Sequence, residues 1–424
     1  MRIANPLSSQ FVQMRSFNRP ARLFLLATVL DGIVYSVWWL FFNFYILAQG
    51  FDREFMGLVI ATTSLATLVL GIPLGLLSDR IGRKRSMILG VAVYIVAIAV
   101  EVSVLNPNLI LIAAFVNGAA STLYFLSQAP FMMKVSTPGN RTLLFSLNFG
   151  LVTLSGAIGN LFAGQLPAYF GGLLGVPADS ATAYRAVLLM AALMSCFTLI
   201  PLWLIKEPGK AYPINGIHEQ ESENLIRAGE TKIPTWLQTI GHRVTLKLAL
   251  PNLLIGFGAA ILMPYMNVFF RDKFSISDQL LGVLFSLSAL LTGLGTFIGP
   301  RLAEGKGGKI RAVVITQGIS LVFLFVLGFS PVLSLTIIAF LIRGTLMNMA
   351  VPLYSAFAME QVKESEQATV NGVKELAWSA GWAVGPYISG VVQESHGFNP
   401  LFIFTGLLYS AAIGLTWLFF RKND

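Results

Sequence analysis

The 424-residue chain is 55% hydrophobic and only 12% charged, with a net charge of +9. Soluble domains carry roughly 25% charged residues, so most of this chain must face lipid or other apolar helices. Its one cysteine, Cys196, lies in an apolar run and its three histidines lie outside such runs, which excludes a disulfide framework, a thiolate metal site and a histidine relay within the membrane.

Residues 1–21 are polar with scattered arginines and lack the short apolar core of a signal peptide. Twelve apolar runs follow, at 22–48, 55–77, 87–105, 108–133, 142–168, 184–205, 247–270, 278–302, 310–329, 332–359, 368–393 and 398–420. Each is about the 20 residues needed to cross a bilayer, and each is predicted as a helix because lipid offers open backbone no partner. The only long polar stretch, holding GluGlnGluSerGlu at 219–223, separates the sixth run from the seventh. The predicted organisation is an arm (1–21), a six-helix half (22–205), a linker (206–246), a second six-helix half (247–420) and a short tail (421–424). Arg80, Arg83, Lys84 and Arg85 in loop 2–3, with Arg301, Lys306, Lys309 and Arg311 in loop 8–9, place those loops and both termini in the cytoplasm. The charge is spread over short loops, so it signals topology and no nucleic-acid partner.

The halves repeat each other. AlaPheValAsnGly at 114–118 matches AlaPheLeuIleArgGly at 339–344, Gly159–Asn160 with Gly164 matches Gly385–Pro386 with Gly390, and Asn43 matches Asn267. A shared architecture follows.

Residues 75–85 read GLLSDRIGRKR. The spacing G-x-x-x-D-R-x-G-R-K resembles the loop between helices 2 and 3 of major facilitator superfamily transporters, in a pattern similar to drug/proton antiporter-like members. The resemblance covers essentially the whole chain and implies an all-α membrane protein. Its twelve transmembrane helices would form two pseudo-symmetric six-helix bundles with a substrate site at their interface. It further implies a small-molecule substrate, no cofactor or metal, proton coupling, a monomer in the plasma (inner) membrane, and transport rather than enzyme chemistry. By that resemblance Asp79 meets the start of helix 11 and latches the cytoplasmic side, aided by Arg80, Arg83 and Lys84; plain topology signalling is the alternative for the bases. Gly75 and Gly82 are expected to let helices approach closely. The second copy, at 299–309, has Ala303 in place of the acid, with Glu304 beside it.

Two departures from the family pattern bear on coupling. The glycine–proline run Gly381, Gly385, Pro386, Gly390 resembles an antiporter signature but lies in helix 11; helix 5 has Gly156, Gly159, Asn160 and Gly164. Helix packing by small residues explains both sets. The helix-4 arginine of many antiporters is replaced by Ala114, while helix 10 carries Arg343.

Charges are costly inside a membrane and mark function. Asp31 lies roughly 13 Å into helix 1 and Arg343 roughly 18 Å into helix 10 at 1.5 Å per residue, with Asn117 at similar depth. The three are expected to converge at mid-membrane, Asp31 either as a protonation site or as a structural clamp. Tyr35, Asn43, Tyr124, Gln128, Tyr265, Asn267 and Tyr354, with Trp38 and Trp39, are expected to shape an aromatic, amphiphilic site. Glu101 reads as interfacial, and Lys374 and Glu375 as gate residues. Proton-coupled export of amphiphilic organic compounds is the first functional expectation; uniport or symport of a polar or anionic metabolite is the alternative.

Overall fold

The computed structural model describes residues 17–137, 139–206, 242–303, 308–363 and 366–421. Nearly all of the linker, most of the arm, the tail beyond Arg421 and Glu304 lie outside the described residues, as does the Ala303 side chain. Twelve long helices are present: α1 (Arg19–Ala48), α2 (Arg53–Ile81), α3 (Arg83–Glu101), α4 (Pro107–Val135), α5 (Arg141–Ala163), α6 (Ala181–Leu204), α7 (Arg243–Leu262), α8 (Asp278–Ala303), α9 (Gly308–Phe329), α10 (Leu333–Glu360), α11 (Gln367–His396) and α12 (Asn399–Phe420). Among the described residues ten spans are long and apolar enough to cross a membrane. The other two long helices, α3 and α11, carry charged residues towards their ends.

Helix starts follow local chemistry. Asn18, Asp52 and Ser180 each accept a backbone N–H of the first turn, at 2.9, 2.7 and 3.2 Å, which satisfies donors the helix cannot. Asn106 caps α4 just before Pro107, whose missing N–H costs nothing at that position. α2 and α3 are joined by Gly82 alone, at φ 94°, a conformation open mainly to glycine. Gly82 therefore serves a sharp turn. The expectation of close helix approach is corrected at Gly75, since nothing lies within 4 Å of a Cβ placed on it.

α7 is discontinuous. A 3₁₀ turn, Met263–Tyr265, leads into a second helical segment, Met266–Phe274. Pro264 lacks an N–H and breaks the ladder. Its own carbonyl accepts Asn43 Nδ2 at 2.5 Å, as buried irregular backbone at membrane depth requires.

Within the first half α1 packs on α5 and α6, α2 on α4, and α3 on α4 and α6. Six helices later the second half has the same pairings: α7 on α11 and α12, α8 on α10, and α9 on α10 and α12. Between halves, α2 meets α11 and α5 meets α8, contacts that exchange under the same relation. The chain is thus two pseudo-symmetric bundles.

The buried apolar clusters show where those bundles join. One cluster unites Phe41, Phe44 and Tyr184 of the first half with Phe269, Phe270 and Phe402 of the second. Two others stay within single halves, around Phe24 and Phe131 in one and around Ile310 and Phe357 in the other. Both sit towards the face bearing the α2–α3 turn, here called the motif face. The halves are joined at the opposite face and separate towards the motif face.

Small residues make the junction close. A Cβ on Gly57 would sit 2.4 Å from the Pro386 carbonyl, one on Gly390 2.2 Å from the Arg53 carbonyl, and one on Gly164 2.7 Å from the Asp278 carbonyl. Gly159, Gly381 and Gly385 are equally tight, but inside their own halves, against α1 or α7. Gly156 is different: its Cβ would meet nothing nearer than 3.8 Å, so no close approach depends on it.

Candidate functional site

Asp31, Tyr35 and Trp39 are spaced by four residues, so they share one face of α1. That face lines a cavity of about 290 Å³ in the first half, closed by Tyr94 from α3 and by Asn117 and Tyr124 from α4. Among the described residues no basic side chain forms an ion pair with Asp31. The Tyr124 hydroxyl is buried without a hydrogen-bond partner.

Glu101 is buried, so the expectation of an interfacial position near a span end is corrected. Asn117 Nδ2 donates to its Oε1 at 3.3 Å. Glu101 lines a smaller cavity of about 80 Å³ with Trp38, Trp39, Asn43 and Trp382. The pairing with Asn117 on the next helix could not be read from spacing, because the two lie in different elements.

A third cavity, of about 400 Å³, belongs to the second half and is lined by Arg343, Gln317, Tyr354, Lys374, Glu375 and Trp382, among others. Arg343 is buried; its Nη2 donates to the Tyr409 hydroxyl at 3.3 Å, its Nη1 meets Met263 Sδ at 3.5 Å, and its Nε has no partner. Gln317 Oε1 and Trp382 Nε1 are also buried and unpartnered. Tyr354 contributes its ring, while its hydroxyl donates to the Leu248 carbonyl at 2.8 Å.

The expected convergence of Asp31, Asn117 and Arg343 is therefore corrected. Equal depth along helices of opposite halves does not imply one chamber. Asp31 and Asn117 share the first cavity, and Arg343 lies in the other half. Lys374 is corrected as well: it is buried in the second-half cavity, its ammonium 5.5 Å from the Tyr354 ring and 3.5 Å from Ser355 Oγ. Glu375 is exposed at that cavity's edge.

Three expected pocket residues do other work. Asn43 Nδ2 donates to Asn267 Oδ1 at 3.0 Å, and Asn267 Nδ2 donates to the Leu40 carbonyl at 2.9 Å. This pair, matched in the sequence repeat, clasps the halves together, although Asn43 also edges the smallest cavity. Tyr265 is fully buried and donates to the Pro386 carbonyl at 2.7 Å. Gln128 is absent from the linings of these three cavities.

Beyond the asparagine pair, a polar clasp crosses between halves. Arg53 pairs with Asp272 at 2.8 Å. The Tyr184 hydroxyl donates to Asp278 Oδ2 at 3.2 Å and accepts from Arg271 Nη1 at 2.9 Å. Arg271 also pairs with Asp278 and lies 4.1 Å from the Phe44 ring. Spacing does not reveal this network, since its partners meet only when two distant loops are brought together.

At the motif face the described charges of the α2–α3 turn bond within their own half. Asp79 is exposed and pairs with Arg83 of its own half; Arg83 Nη1 also donates to Ser78 Oγ at 2.9 Å. Lys84 donates to the Trp203 carbonyl at 2.9 Å. Asp79, Arg80, Gly82 and Lys84 line a shallow hollow against the end of α6. The expected contact of Asp79 with the start of α11 is not formed in this arrangement, because the halves are apart there.

Comparison with known proteins extends this picture. The family model described as Major Facilitator Superfamily matches residues 24–373 and 248–424. The multidrug resistance protein MdtG of Yersinia enterocolitica is 23% identical over 177 residues, 40% of this chain and 42% of that protein. MdtG of Enterobacter lignolyticus is 25% identical over 177 residues, 40% of this chain and 41% of that protein. The match thus spans less than half the length of these relatives. Among solved structures, a bacterial homologue of the human lysosomal transporter Spinster, inward-facing and occupied, superposes with a TM-score of 0.77 at 15% identity. That superposition covers 95% of this chain and 96% of the other. The nucleoside transporter NupG gives 0.70 at 15% identity, covering 96% and 99%. With twelve long helices in two equivalent bundles and a family match along nearly its whole length, this multi-pass membrane protein belongs to the major facilitator superfamily.

Proposed function

We propose that the chain is a secondary active transporter that exports amphiphilic organic compounds in exchange for protons, working as a monomer by alternating access. The observation that carries this reading is Asp31, a carboxylate on the wall of an aromatic cavity without a basic partner among the described residues. A membrane-embedded carboxylate of this kind is a natural proton carrier, and the rings around it suit an apolar cargo. The similarity to MdtG supports the direction of transport and the cargo class. The basic bias of the motif face supports placing it, with both termini, in the cytoplasm of a cell whose plasma (inner) membrane holds the protein. The arrangement described is then the inward-open state, its outer route shut by the asparagine and Arg53–Asp272 clasps.

A second reading, uniport or symport of a polar or anionic metabolite, is favoured by Arg343 and Lys374 in the other cavity. Purified protein in proteoliposomes under an imposed pH gradient separates the two. Proton antiport predicts uptake of an amphiphilic dye when the interior is acidic, with collapse on adding a protonophore. Transport indifferent to the gradient would refute antiport and leave uniport.

A further inference from the structure

Two helices from opposite halves present the same pattern with opposite charge. On α1 the series Asp31, Tyr35, Trp39 runs at four-residue spacing; on α11 the series Lys374, Trp378, Trp382 does the same. The two series meet at their last members, since the Trp39 and Trp382 rings contact edge to face with centroids 6.1 Å apart. Both helices run away from the motif face, so both charges lie on that side of the tryptophan pair, each about 12 Å back along its helix at 1.5 Å per residue. The tryptophans form a roof shared by the two halves. Below it one wall is acidic and the other basic.

Each wall is built to hold its charge available. Asp31 has no basic partner among the described residues and stands among Tyr35, Trp38, Tyr94 and Tyr124, rings that attract a cation through their faces. On the other side Lys374 and Arg343 are both buried, and neither forms an ion pair with a carboxylate among the described residues. Glu375 is the one carboxylate lining that cavity, exposed beside Lys374. Arg343 Nε and Trp382 Nε1 are buried donors without acceptors. Unpaired buried cations and donors are costly; a cargo that brings acceptors would offset that cost.

We propose that the two large cavities form one bipartite site and that its cargo is a zwitterionic amphiphile. Its cationic group sits against Asp31 and the surrounding rings, its anionic group against Arg343 and Lys374, and its apolar part lies along the tryptophans. This rests on the transport reading above for its biological sense, but it concerns binding alone.

The test measures equilibrium binding to the full chain in nanodiscs, following tryptophan fluorescence, with decylphosphocholine, decyltrimethylammonium and decyl phosphate below their micelle-forming concentrations. The wild type should bind the zwitterion at least about tenfold more tightly than either singly charged probe, equivalent to about 1.4 kcal/mol. Arg343→Gln should reduce zwitterion affinity to that of the cation, and Arg343→Lys should retain most of the preference. Asp31→Asn should reduce it to that of the anion. Circular dichroism and monodispersity establish that each variant is folded. Equal wild-type affinity for the zwitterion and the cation, or an unchanged preference in folded Arg343→Gln, would overturn the bipartite site. No gradient is imposed, so a failure of proton coupling leaves this result untouched; gradient-driven export of simple cations without a zwitterion preference would uphold the transport reading and sink this inference.

Discussion

Asp31 and Glu101 are two acids of the same half with different surroundings. Asp31 faces aromatic rings in an open cavity, whereas Glu101 is held by the Asn117 amide at 3.3 Å. Asp31→Asn keeps size and removes the proton site. It should lower gradient-driven transport by roughly tenfold or more, equivalent to about 1.4 kcal/mol in the barrier. Exchange of cargo for cargo, which needs no net proton movement, should persist once the cargo concentration is raised above its weakened affinity. Paired uptake and exchange assays in proteoliposomes check this, and loss of both together would remove Asp31 from coupling. Glu101→Leu leaves the buried Asn117 amide unpaired and should cost about 1–3 kcal/mol of stability. Glu101→Gln keeps an acceptor and should unfold close to the wild-type temperature. A thermal unfolding series of both variants tests the bond, and equal melting of Leu and Gln would show that it contributes nothing.

Packing between helices decides which face is shut. α2 and α11 touch where Gly57 faces the Pro386 carbonyl and Gly390 faces that of Arg53. Lipid offers no hydrophobic drive for helix association, so such contacts depend on small residues and hydrogen bonds. A methyl group at Gly57 would lie 2.4 Å from the Pro386 oxygen, closer than packing allows. Gly57→Ala should therefore push the halves apart at this face and shift the population towards its open form. Spin labels at the exposed positions Ala48 and Ser395 report the distance; a distribution identical to wild type would show that the contact does not govern closure.

In the proposed alternating-access cycle, opening of one face and closure of the other form a single equilibrium. Asp79 pairs only within its own half, and an exposed ion pair of this kind contributes about 0–1 kcal/mol. Asp79→Asn should therefore leave the arrangement described here intact. It should weaken the alternative state, in which Asp79 would reach the start of α11, so transport falls and distances across the motif face lengthen on average. Unchanged distances would reduce the motif to a topology signal. Orientation is tested separately by single cysteines at Arg2, Leu225 and His396 in a background lacking Cys196. The first two should be protected from an impermeant reagent in intact cells and the third labelled.

The run lengths and the repeated residues were enough to determine twelve helices in two equivalent sets, because lipid forces each apolar run to satisfy its own backbone. The family pattern around Asp79 and Gly82 was legible for a related reason: a charged turn with a positive-φ glycine is a local feature. What each membrane-embedded polar residue touches was not legible. Asn43 and Asn267 read as pocket residues and prove to be each other's partners; Lys374 reads as a gate residue and proves to line a cavity; Asp31 and Arg343 share a depth but line different cavities, one in each half. Spacing along a helix fixes the face a side chain occupies, but the opposing face belongs to a helix distant in sequence. Only the docking of one half on the other, through contacts between bundles, decides it.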